Sequence, residues 1–188
     1  MLVTMKQQAT LEQAAPGGSA QAADEHLLKL VRSFETATLV TERRTGGLHG
    51  RPMVISAVDD EATLWFFSNI NSTKIAELAE DARAMLTFQS ALQFVALSGQ
   101  VELLSDATLA ARLWKESYRV WFHGSSDPDI VLLKFTTFDA EYWDYSGVQG
   151  LKYALQSLRA YVTGRNMSAR DTRPHAKLDF SRLTTSRR

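Results

Sequence analysis

The sequence predicts a mainly β, α+β domain: a small antiparallel barrel with flanking helices. Two observations predict it. Between Thr36 and Tyr145, about seven short segments rich in β-branched and aromatic residues are bounded by Gly, Asn, Asp and Pro. Apolar residues recur at helical spacing only in short stretches beside them. Many short strands with few helices favour closure, because a closed sheet leaves few exposed edges.

The elements follow in order. Residues 1–22 are rich in Ala, Gln, Gly and Ser and are expected to be disordered. Asp24 is a candidate N-cap, and Leu27, Leu30, Val31 and Phe34 follow at i, i+3, i+4 and i+7, which predicts an amphipathic helix over 24–34. Strands are expected at 36–43, 49–58 and 63–69, separated by Thr45-Gly46-Gly47 and Asp59-Asp60-Glu61 as turns, the pattern of a meander. Asn71-Ser72 can cap a helix at 73–80 that turns Ile75 and Leu78 inward. Strands at 82–89 and 94–104 precede a helix capped by Ser105 or Asp106 and running to about Ser117. Residues 118–129 read as an aromatic, Gly/Asp/Pro loop, 130–138 and 141–145 as late strands. Leu151, Leu155, Leu158 and Val162 mark a last helix that stops at Gly164.

Composition bounds the function. The chain has 188 residues, 45% apolar and 22% charged, so wholesale disorder is excluded. It has no cysteine, which excludes disulfides, thiolate metal sites and a cysteine nucleophile. No apolar run reaches the ~20 residues of a membrane span, and the first residues lack a secretory h-region, so a cytoplasmic protein without a membrane partner is expected. The net charge of zero is uneven: residues 1–150 carry 12 Lys/Arg against 19 Asp/Glu, and residues 151–188 carry 9 against 2. Residues 165–188 therefore read as a basic, flexible tail, with the folded domain at 23–164. Phe180 is the tail's lone aromatic residue, so the base-stacking platform of a single-strand binder is missing and nucleic acid is not expected as a partner.

The informative segment runs from Arg51-Pro52-Met53 through Leu64-Trp65-Phe66-Phe67-Ser68-Asn69 to Asn71-Ser72-Thr73-Lys74. A strand delivers Phe67 and Ser68 to a loop that opens a helix at Ser72, Thr73 and Lys74. Free backbone N–H groups and the helix dipole favour an anion there, two hydroxyls and an ammonium add donors, and Arg51 can close the site if its strand is adjacent. The competing reading is a capped helix with surface charges, since S/T-x-K is common at helix starts. His26, His49, His123 and His175 lack metal-ligand spacing; His49, near Arg51, could touch a bound ligand but reads best as a turn residue. Trp114, Trp121 and Phe122 suit either core or interface packing or the roof of a ligand. No residue pattern supports a catalytic triad or a carboxylate pair, so neither a catalytic residue nor a metal is assigned.

With Leu97-Ser98-Gly99, Val101-Glu102-Leu103, Trp121-Phe122 before Asp127-Pro128, and Glu141-Tyr142-Trp143, these motifs resemble the flavin-binding split-barrel superfamily of pyridoxamine 5'-phosphate oxidase, and within it the general stress protein 26 branch. The resemblance spans about Glu25 to Gly164. It implies a six-stranded antiparallel FMN-binding split barrel and a homodimer with flavin at the interface, FMN being the expected cofactor and FAD the alternative. Arg51 and Lys74, with Ser68, Ser72 and Thr73, would hold the phosphate. Thr73 stands where relatives often carry Arg, which removes a positive charge. Pro52, Met53 and Val54 would run along the flavin ring, Phe67 would lie beside it, and Trp143 would reach it from the partner subunit. Gln93 is one residue off the position of a flavin-contacting glutamine, which places it on the opposite face of its strand. The oxidase's Arg-Leu-x-Asp-Arg segment is replaced here by Asp144-Tyr145-Ser146-Gly147, which argues against pyridoxamine phosphate oxidation. The implied function is an FMN-binding flavoprotein, an oxidoreductase with a stress-related role. The alternatives are a non-catalytic flavin-binding or sensing protein, or a relative using another ligand such as deazaflavin, haem or pyridoxal phosphate.

Overall fold

The computed structural model describes residues 20–43, 45–146 and 175–179. Its elements are α1 (Ala20–Arg32), β1 (Thr36–Glu42), β2 (Leu48–Val54), β3 (Ala57–Val58), β4 (Thr63–Asn69), α2 (Thr73–Glu80), β5 (Arg83–Gln89), β6 (Gln93–Leu104), α3 (Ala107–Leu113), a 3-10 helix (Glu116–Val120), β7 (Ile130–Asp144) and β8 (His175–Asp179). Helix α1 starts at Ala20, inside the stretch expected to lack order. The last predicted helix, 151–162, lies outside the described residues.

The strands form one antiparallel sheet of eight, in the order β2-β1-β5-β6-β7-β4-β3, with β8 on β7. Although β2 and β4 are far apart along this path, they touch, so the sheet curls into a split barrel. The expected meander through β2 to β4 does not form. The run 49–58 breaks at Ile55-Ser56: β2 pairs with β1, while β3 pairs with β4. At the break, the Ile55 N–H bonds to the Glu35 carbonyl and the Ser56 N–H to the Trp65 carbonyl. One extended segment therefore serves both ends of the sheet and bridges the seam.

Two further expectations are corrected. The late strands are one 15-residue strand, β7, which pairs with β6 on one edge and with β4, then β8, on the other. A bulge at Ser98/Gly99 shifts the β6–β7 register, pairing Ser98 with Asp139 and Gly99 with Thr137, so Phe138 is the extra residue. Within the basic stretch expected to be flexible, residues 175–179 pair with Asp139–Trp143 of β7.

Alternation along the strands sorts side chains into two cores. Leu39, Met53, Leu64, Phe66, Leu86, Leu97 and Phe135 fill the barrel, closed by Leu27, Leu30 and Val31 of α1 and Leu78 of α2. Full burial of such side chains contributes about 1.5–3 kcal/mol each. Phe67, pointing the other way from Phe66, joins Tyr118, Phe122, Ile130 and Leu132 in a second core under α3. Helix α3 stops at Leu113, shorter than expected. Its N-cap is Asp106, whose carboxylate accepts the Leu109 N–H at 2.9 Å.

Candidate functional site

The inward face of β2 carries His49, Arg51 and Met53, while Gly50 and Pro52 are exposed on the other. Met53 packs into the barrel core, so Arg51 and His49 sit one and two steps nearer the barrel mouth. Arg51 meets helix α2 there. One guanidinium nitrogen donates to Thr41 Oγ1 at 2.7 Å and the other to Glu77 Oε2 at 2.5 Å. The Thr41 hydroxyl also donates to Glu77 Oε2, and His49 Nδ1 lies 3.0 Å from Glu77 Oε1. Burial by itself would raise the Glu77 carboxyl, but bonds from Thr41, His49 and Arg51, with the Arg51 charge, outweigh it and bring it down to about 2. Glu77 is therefore ionised and can only accept, which makes His49 Nδ1 the donor.

Beside this network, Lys74 Nζ donates to Ser68 Oγ and to Ser72 Oγ, both at 3.1 Å, and the two hydroxyls are 3.1 Å apart. Ser68 is buried at the end of β4, and Ser72 is the N-cap of α2. The Ser72 hydroxyl makes no cap bond; it turns to the lysine instead. Burial lowers the Lys74 ammonium, as does the Arg51 charge, while Glu77 acts the other way. Arg51 and Lys74 are therefore electrostatic neighbours, although β2 is not hydrogen-bonded to β4, the strand that leads into α2: the curl of the barrel and α2 bring them together. Two hydroxyls and an ammonium meet where the first N–H groups of α2 lack intrahelical partners. That donor set fits a phosphate.

The remaining predicted residues spread out. Thr73 is exposed on the first turn of α2. Proline is tolerated at Pro52 because β2 pairs only with β1 among the described residues. Val54 is half-buried and lines a seam cavity of about 530 Å³ together with Phe34, Ile55, Ser56, Lys115 and Ser117. None of Arg51, Ser68, Ser72 or Lys74 lines that cavity. Phe67 is buried, with ring centroids 4.8 Å from Tyr118, 5.9 Å from Trp114 and 6.2 Å from Phe122. Tyr118 OH lies 2.8 Å from Ser56 Oγ on the seam. Phe122 and Trp114 belong to this packing, whereas Trp121 is 60% exposed.

Trp143 is half-buried and pairs with Phe94. Ser68 pairs with Val131 near the opposite end of β7, so Trp143 is up to ~40 Å away along the strand within this chain. Gln93 bonds to Asp144 and Ser146 at 3.3 Å. Sequence reasoning missed Glu77 and Thr41, and His49, expected in a turn, lies within β2 beside Glu77. The available signal was Glu77 at three residues from Lys74, on the same helix face. Among the described residues there is no group of His, Asp or Glu that could hold a metal, and no helix is long and apolar enough to cross a membrane.

The architecture has counterparts among solved structures. A general stress FMN/FAD binding protein from Xanthomonas citri is 26% identical, with a TM-score of 0.59, over 68% of this chain and 92% of that one. A general stress protein 26 from Bacillus anthracis is 20% identical, TM-score 0.59, over 64% of this chain and 92% of that one. A protein from Clostridium acetobutylicum related to general stress protein 26 is 21% identical, TM-score 0.60, over 66% and 89%. No curated protein matches the sequence. The family described as pyridoxamine 5'-phosphate oxidase like matches residues 22–168, most of the chain. The split barrel, the motifs that build its mouth and this match agree: the chain belongs to the pyridoxamine 5'-phosphate oxidase like family.

Proposed function

We propose that the protein is a flavoprotein that binds FMN or FAD with the phosphate on Ser68, Ser72, Thr73 and Lys74, beside Arg51. The observation that carries this reading is the meeting of the Lys74 ammonium with two hydroxyls at the start of α2. The flavin-binding description of the Xanthomonas citri relative supports it. Since β2 pairs only with β1 among the described residues, the backbone groups of Pro52–Val54 that point away from β1 would bond the ring's polar edge. The protein acts as an oxidoreductase, with a stress-related role taken from the names of its relatives. A bound flavin supplies hydride and electron transfer; this chain supplies binding, orientation and charge. The expected result is reduction of the loaded protein by a nicotinamide donor, in stopped flow, faster than free flavin. A rate no faster than free flavin would favour a carrier or sensor.

A homodimer is part of this proposal. The outer face of four strands presents two cross-strand rows, Pro52–Thr38–Thr87–Ala96 and Gly50–Val40–Met85–Ser98, with no charge in either. Met85 is 40% exposed there. Solvent-facing sheet surfaces are ordinarily polar, so an uncharged one suits a self-complementary contact. Phe94 and Trp143 continue this face, which would present Trp143 to a partner's site. Sedimentation at micromolar concentration should show a dimer, and Met85→Arg should yield monomer that still folds. A monomeric wild type would remove the interfacial flavin site.

A further inference from the structure

We propose that the seam cavity is a second binding site, separate from the cluster at the start of α2, and that it takes a small carboxylate with an apolar body. Lys115 Nζ and the Ser56 hydroxyl hold the carboxylate, and Phe34 and Val54 hold the body.

The cavity opens where β2 breaks from β3. Its volume of about 530 Å³ suits a small molecule, since such pockets span about 300–1,000 Å³. The backbone donors at the break are spent: the Ile55 N–H goes to Glu35 and the Ser56 N–H to Trp65. The donors that face a ligand are therefore side chains. Lys115 Nζ donates to the Ile55 carbonyl at 3.0 Å, on the peptide that leads into Ser56. An ammonium has three donors, so two more are at hand beside Ser56. The Ser56 and Tyr118 hydroxyls lie 2.8 Å apart. Tyr118 is almost fully buried, so its phenol proton is satisfied by donation to Ser56. Ser56 then accepts, and its own proton is left for a ligand in the cavity it lines. An ammonium and a hydroxyl beside an apolar wall are the donor set for a carboxylate. Lys115 bonds a neutral carbonyl, so one carboxylate matches its charge; a phosphate dianion would call for a second cation. Arg32, on the same wall, already bonds Asp60, and Glu35 is exposed, where water screens it. On the flavin reading, Val54 also meets the ring, so the carboxylate would lie beside the cofactor. The site itself does not rest on that reading.

The probe is 4-fluorobenzoate, followed by fluorine NMR line broadening with the full chain and no added flavin, at low salt and pH 7.5. It should bind saturably with a Kd of about 1 mM or tighter. 4-Fluorobenzamide, of the same shape without the charge, should bind about fivefold more weakly, and 4-fluorophenyl phosphate no more tightly than the benzoate. Lys115→Met should abolish the preference for benzoate over benzamide, and Ser56→Ala should weaken benzoate about threefold. Lys29→Met, at an exposed lysine of α1, should change neither. The proposal is overturned if benzoate does not bind, if wild-type protein binds benzoate and benzamide equally, or if the phosphate binds tenfold more tightly. It is also overturned if Lys29→Met costs as much as Lys115→Met, or if Lys74→Ala abolishes benzoate binding while Lys115→Met preserves it. If Lys115→Met does not fold, the wild-type comparison of benzoate with benzamide decides. A protein that binds benzoate but no flavin keeps this site and loses the flavin reading; one that binds flavin but no benzoate does the reverse.

Discussion

Replacing Lys74 by alanine is expected to weaken FMN by roughly 10- to 150-fold and to leave riboflavin nearly unchanged. Lys74 is the cation of the cluster that donates to two hydroxyls, Ser68 and Ser72, whereas Arg51 already faces Glu77. A phosphate replacing those hydroxyl contacts would make charge-assisted bonds worth about 1.5–3 kcal/mol, which is the stated range in affinity. Riboflavin lacks the phosphate, so contacts along Pro52–Val54 are untouched. The FMN affinity should also fall with salt, since the ammonium is only half-buried. If Lys74 were only a helix-surface cation, alanine would cost nothing and both flavins would be unaffected. Paired titrations of wild type and variant check this; equal weakening of both flavins would remove Lys74 from the phosphate site.

Gly99→Ala is expected to lower the melting temperature by roughly 6–12 °C, from a loss of about 3 kcal/mol. A Cβ on Gly99 would stand 2.0 Å from the Thr136 carbonyl oxygen and 2.9 Å from Phe135 Cζ. The first is backbone of the paired strand, so relief requires β6 and β7 to separate beside the bulge that sets their register. The control is Gly124→Ala, where an added Cβ meets nothing within 4 Å. Calorimetry on the two variants should separate them clearly. Coincident melting curves would mean that the close approach at Gly99 carries no energetic weight.

What could be read from the sequence was local. Helix α2 was legible because Ser72 marks its N-cap position and Ile75 and Leu78 share a face. Strands β1, β5 and β6 were legible because turn residues bound them. The features that required the third dimension were missed. Met53-Val54-Ile55 is continuous apolar sequence, so nothing local marks the break at Ile55-Ser56 that lets one segment serve both ends of the sheet. Asp139 reads as a strand end, but a bulge carries β7 through it. Residues 175–179 sit among basic and polar residues that mask a short strand, whose partner in β7 is more than thirty residues away.

The candidate site divides in the same way. Ser68, Ser72 and Lys74 lie within seven residues, and the sequence alone suggested their convergence. Arg51 was expected to join them through neighbouring strands. It reaches the cluster instead through the barrel's curl, and it arrives already paired with Glu77, a residue that no sequence motif marked. Phe67 was placed beside a ligand by resemblance, and the structure packs it among Trp114, Tyr118 and Phe122. A two-residue periodicity says which side chains share a face, but not which face meets the main core and which the second one.

The central claim is that this barrel holds a flavin through its phosphate, and the absorbance spectrum of the purified protein tests it most directly. The expected result is a yellow protein with the two-band spectrum of an oxidised flavin. Mass analysis of the released chromophore should identify FMN or FAD. Failing co-purification, added flavin should be quenched on binding at micromolar concentration. A colourless protein that quenches neither FMN nor FAD would contradict the account.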